Sequence, residues 1–141
     1  MAEGWCRHLK GNFIQPFSAG MESHGLNPQA VKVMSEVAVD ISHQQSKPLR
    51  DVLHIHFDYV ITVCDRASLH CPVFPGKTKL FHVGFDDPPQ LAKNSKTEEE
   101  TLQHYRRVRD EIKKFVQGLP RSLTKPEKLK NRLLHSHQEF V

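Results

Sequence analysis

The chain is poor in cysteine, with three in 141 residues, at Cys6, Cys64 and Cys71. So odd and sparse a set argues against a secreted disulfide framework and leaves room only for free thiols or a transient redox pair. It also lacks any apolar run approaching the ~20 residues that span a bilayer. The opening Met1-Ala2-Glu3-Gly4-Trp5 places an acid where a signal peptide carries positive charge, and no apolar stretch follows it. A cytoplasmic location with no membrane partner is expected. No internal repeat is found.

What is present fits one globular domain. Apolar residues make up 38% and charged residues 26%, mean hydropathy is −0.54, and 141 residues suffice for a real core. Net charge is +4, with much of the excess in Lys113–Lys130. A run of that kind reads as a solvated helix end and tail, so no nucleic-acid partner is expected.

The periodicity predicts helix, strand, helix, strand, strand, helix, an α/β order. Met1–Lys10 reads as a helix with Ala2, Trp5, Cys6 and Leu9 on one face, closed at Gly11. Phe13–Ala19 reads as a strand, at a sheet edge because Pro16 has no amide hydrogen. Asn27 caps a helix with Pro28 at its first position, and Ala30, Val31, Met34, Val37 and Ala38 are its expected buried stripe. Residues 40–53 are a loop, with a short helix expected at Pro48–Leu53.

Phe57–Cys64 is the clearest strand, near-continuously apolar from Tyr59, as in a parallel strand buried on both faces. Leu80–Phe85 is a second. Thr97–Gln117 is the strongest helix: Thr97 and Glu100 form a capping box, Leu102, Tyr105, Val108, Ile112, Phe115 and Val116 form the stripe, and Gly118 and Pro120 end it. The expected division is a domain over 1–118 and a basic tail over 119–141, with a loosely attached helix around Glu127–His135.

Chemistry-bearing residues cluster after the two clear strands. Cys64 ends a buried strand, which in open α/β sheets is where ligands gather, and Cys71 follows in a polar loop. By spacing alone the two read either as small buried hydrophobes or as a redox pair; the spacing does not suit zinc. Asp87, in Gly84-Phe85-Asp86-Asp87-Pro88-Pro89, reads either as a turn former or as a general acid on a rigid loop.

Cys71–Lys77 imitates a Cys-x5-Arg phosphate loop, but it ends in Lys, and Pro72 and Pro75 remove amide donors that an anion cradle requires. Gly76-Lys77-Thr78 imitates a Walker ending without its first glycine. His54 and His56 share an expected strand face, as do His135 and His137, without the further ligands a metal needs.

Several stretches together resemble the thioredoxin-coupled arsenate reductases, which share the low-molecular-weight tyrosine phosphatase fold. They are Met1-Ala2-Glu3-Gly4-Trp5, Ser18-Ala19-Gly20, His24-Gly25-Leu26-Asn27-Pro28, Asp40-Ile41-Ser42, Val60-Ile61-Thr62-Val63-Cys64, Cys71-Pro72-Val73-Phe74-Pro75, Gly84-Phe85-Asp86-Asp87-Pro88 and Tyr105–Ile112. The resemblance implies a parallel sheet flanked by helices. It also implies a reaction: a first cysteine in a phosphate-type loop attacks arsenate, and Cys64 attacks that adduct as arsenite leaves. Cys71 then attacks Cys64, thioredoxin reduces the Cys64–Cys71 disulfide, and Asp87 protonates the leaving oxygen. A monomer without cofactor or metal is implied.

The resemblance also sets two departures. It starts just after the family's first, central strand and Cys-x5-Arg loop, and no Cys-x5-Arg stretch occurs in the 141 residues; the sixth residue after Cys6 is Asn12. The expectation is an arsenate reductase whose strand and loop lie upstream of Met1, and the alternative is a non-catalytic relative that binds a partner. The second departure is Lys47, where some relatives carry an acid that binds potassium together with residues matching Glu3 and Ser18. A lysine ammonium supplies that charge itself, so no required potassium is expected.

Overall fold

The computed structural model describes residues 1–22, 24–63 and 73–123. Cys64, Cys71, His135, His137 and the expected helix at 127–135 lie outside the described residues. Two helices come first, α1 (Ala2–Lys10) and α2 (Pro28–Ser35). Two strands follow, β1 (Tyr59–Thr62) and β2 (Lys79–His82), and then a short helix α3 (Pro88–Leu91) and a long one, α4 (Glu98–Gln117). This is the α/β architecture expected from the chain's patterning.

The strands are parallel, with Tyr59 opposite Lys79 and Thr62 opposite His82. Pairing continues past them, as Val83 N–H donates to Thr62 O (2.8 Å) and Phe85 N–H to Val63 O (3.2 Å). The core is built where α1 and α4 cross beneath the sheet. Trp5, Cys6, Met34, Val39, Ile41, Val108, Ile112 and Val116 are buried there, with Tyr59, Ile61 and Phe81 packed on from the strands. Leu119 and Leu123 belong to the same core, so packing runs on through the turn at Arg121–Leu123.

The cap signals translate directly. Asn27 Oδ1 accepts from Ala30 N–H (3.1 Å), and Thr97 Oγ1 accepts from Glu100 N–H (3.1 Å). The box is displaced by one residue, because the Glu100 carboxylate accepts from Lys96 N–H (2.7 Å) and not from the Thr97 amide.

Four expectations need correction. Phe13–Ala19 is not a strand. A strand exists by its ladder, and here backbone groups are claimed by α1: Phe13 N–H and Ile14 N–H donate to Lys10 O (2.8 and 2.9 Å), and Arg7 donates to Pro16 O (3.2 Å). Only Gly20 makes a strand-like bridge, to Pro48, and Phe13 is 86% exposed. Nor is β1 buried on both faces: Tyr59, Val60 and Ile61 are half-buried and Thr62 alone is buried. Among the described residues its sheet has two strands.

The buried stripe of α2 is also different. The helix stops at Ser35, and Val33 is fully buried while Ala38 is exposed. Ala38 takes φ +58°, and Val39 N–H donates to Met34 O (3.1 Å) while Ala38 N–H donates to Ser35 O (3.0 Å). This Schellman closure turns Val39 and Ile41 down into the core. Finally, His54 and His56 share no strand; both lie in the turn before β1.

Candidate active site

The parallel pair brings the chain after β2 to the carboxyl ends of the strands, where open α/β sheets place their chemistry. Asp87 lies there, extended (φ −86°, ψ 109°), at the cap position of α3. Aspartate at that position ordinarily accepts from the helix's first free amides. Its carboxylate makes no such bond. The cause is local: Pro88 and Pro89 occupy the first two helical positions and have no N–H to give, and the third amide, Gln90 N–H, donates to the Asp87 backbone carbonyl (3.0 Å). An exposed carboxylate is thus held on a short, proline-stiffened turn without being spent on capping.

The neighbouring residues are tied down. Phe85 packs edge-on against Phe115 of α4, centroids 6.0 Å apart. The Asp86 carboxylate accepts from Arg107 (2.8 Å), and Pro88 is buried. One strand back, the Thr62 hydroxyl and His82 Nδ1 lie 2.9 Å apart across β1 and β2.

A second polar cluster sits under α1. Glu3 is buried, and its carboxylate accepts from the Ser18 hydroxyl and from Arg7 (2.9 Å). Burial alone would raise its pKa, but Ser18, Arg7 and the charge of Lys47 outweigh that and hold the carboxyl below its ordinary value. Lys47 therefore acts electrostatically on Glu3. Beside them Ser18, Gly20, Asn27, Gln44 and Lys47 line a cleft of about 230 Å³.

Cys6 is buried on α1, and desolvation raises its thiol pKa. A thiol so placed is a core residue and not a nucleophile. The Walker-like Thr78 is likewise spent on structure, donating to Phe57 O (2.8 Å) and Pro75 O (3.0 Å).

Periodicity overlooked two polar groups. Arg109 is buried in α4, where its guanidinium donates to Val33 O (2.9 Å) and pairs with Glu36 (3.2 Å) and Asp110 (2.8 Å). Arg107 was likewise not distinguished from other solvent-facing positions of the helix. For Arg107 the four-residue spacing to Glu111 was a signal; for Arg109 the adjacent Asp110 offered none.

A family model described as low molecular weight phosphotyrosine protein phosphatase matches residues 1–129. The chain belongs to that family. Proteins named arsenate reductase are among its relatives. One from Bacillus licheniformis is 50% identical over 113 residues, 79% of this chain and 78% of that protein. One from Shouchella clausii is 46% identical over 125 residues, 83% and 85% respectively. Among solved structures, an arsenate reductase in the oxidized state superposes with TM-score 0.68 at 28% identity, covering 86% of each chain. A reduced-state one gives 0.63 at 29%.

Proposed function

We propose that this phosphatase-like chain serves arsenate reduction, and that Cys64, Cys71 and Asp87 carry its later thiol and proton steps. The observation that carries this reading is the placement of Asp87, an uncapped carboxylate at the carboxyl end of the parallel pair. Similarity to proteins named arsenate reductase over most of both chains supports it.

The steps balance as follows. A thiolate on a Cys-x5-Arg loop, which none of the 141 residues supplies, forms a sulfur–arsenic bond while Asp87 protonates the departing oxygen. Cys64 attacks that sulfur. The sulfur–arsenic electron pair stays with arsenic, which leaves as arsenite, two electrons reduced, and a disulfide remains. Cys71 attacks Cys64, forming Cys64–Cys71 and releasing the first thiolate. Thioredoxin then returns both thiols at the cost of its own dithiol. The proposed protein is a cytoplasmic monomer and its role is arsenic detoxification.

The test uses the 141-residue chain. After mild oxidation, peptide mass mapping is expected to find Cys64 joined to Cys71 with Cys6 free, and thioredoxin with its reductase and NADPH is expected to reduce the bond. Pairing through Cys6, or a disulfide that thioredoxin does not reduce, would overturn the relay. A second reading is a non-catalytic binding relative. It predicts no rapid Cys64–Cys71 pairing.

A further inference from the structure

We infer that Arg107 is a positioning residue, which decides that Asp87 and not its neighbour Asp86 is the free carboxylate at the end of β2. The inference rests on the proposed role of Asp87 as proton donor.

Two aspartates stand side by side here, chemically alike, and only one can be the acid. Asp86 is engaged by Arg107 at 2.8 Å. The same guanidinium is held from its other side by Glu111, one helical turn on, at 2.9 Å. The fork is thereby oriented before it meets the loop, and both partners raise the guanidinium pKa, Asp86 most. Arg107, Glu111 and Phe115 follow at four-residue spacing, so α4 offers them as a single stripe. Phe115 takes Phe85 and Arg107 takes Asp86, which pins two consecutive loop residues to one helix face.

With Asp86 held on α4, Asp87 stands extended at the cap of α3 with no side-chain cap bond: Pro88 and Pro89 have no N–H, and Gln90 N–H donates to the Asp87 backbone carbonyl (3.0 Å). The pair is exposed on both sides, so it adds little to global stability. Its effect is local orientation.

The experiment is amide ¹⁵N relaxation on the full chain, comparing wild type with Arg107→Gln, Arg107→Lys and Asp86→Asn. In Arg107→Gln and Asp86→Asn, order parameters at Phe85, Asp86 and Asp87 are expected to fall from about 0.85 toward 0.6. Amides of α1 and α2 should keep their values, and Tm should move by no more than about 4 °C. Arg107→Lys restores part of the order. Loop amides unchanged in both charge-removing variants would overturn the inference, as would loosening spread over the whole chain. Asp86→Asn keeps the test decisive should Arg107→Gln not fold. No turnover enters this readout: unpaired Cys64 and Cys71 would sink the thiol relay alone, and a rigid loop in the variants would sink the role of Arg107 alone.

Discussion

The indole N–H of Trp5 donates to the backbone carbonyl of Arg109, 3.1 Å away and 104 positions along the chain. This bond fastens α1 to α4 inside the core, where Trp5 is 2% exposed. The Lys113 ammonium lies 4.9 Å from the same ring's centroid. Replacing Trp5 by Phe keeps an aromatic ring but leaves a helical carbonyl without its side-chain partner and a gap beside it. The expected loss is about 2–3 kcal/mol, read by urea unfolding followed by circular dichroism. A loss below about 0.5 kcal/mol would show that this contact contributes nothing net.

Asn27 and Asp87 occupy the same helical position and should respond oppositely. Asn27 caps α2 and also donates to the Tyr105 hydroxyl at 2.9 Å, so Asn27→Ala is expected to cost about 1–2 kcal/mol. Asp87 caps nothing, so Asp87→Ala should leave stability within about 0.5 kcal/mol of wild type. Thermal unfolding of the two alanine variants side by side decides this. An Asp87→Ala variant as unstable as Asn27→Ala would mean that the carboxylate is spent on structure.

Ala38 carries a side chain in the left-handed region, at φ +58°. For an L-residue that conformation costs roughly 1–2 kcal/mol, part of which a glycine gives back as unfolded-chain entropy. Ala38→Gly is therefore expected to stabilise the protein by about 0.5 kcal/mol, visible as a raised urea midpoint. A lowered midpoint would refute the strain.

Glu3 makes stability depend on acid. Its folded pKa lies below the ordinary value, because Ser18, Arg7 and Lys47 outweigh burial. The charged form is thus the one that folding favours. Its contribution is complete above about pH 4.3, the unfolded value, and is lost as pH falls through the folded one. Unfolding free energy measured from pH 6 to pH 3 should drop in wild type and drop less steeply in Glu3→Gln. Parallel curves would remove Glu3 as the cause.

The elements and their ends were largely legible in the chain itself. Asn27-Pro28 starts α2 and Thr97 starts α4 because a cap involves groups only three residues apart. The apolar spacing of Leu102, Tyr105, Val108, Ile112 and Val116 places α4 for the same short-range reason. The candidate site was legible only in outline. Asp87 could be singled out as an acid on a turn, but not as an aspartate relieved of capping, and Asp86 could not be told from it.

Sequence by itself determined the α/β class, the helix starts and the long amphipathic α4, since periodicity and caps act within one or two turns. Tertiary structure decided which polar groups are buried and which stay free. Glu3 meets Ser18 under α1, Arg109 enters the core because Val33 offers it a carbonyl, and Arg107 takes Asp86. An electrostatic partner distant in sequence settles each of these, and spacing along the chain carries no record of where that partner will be.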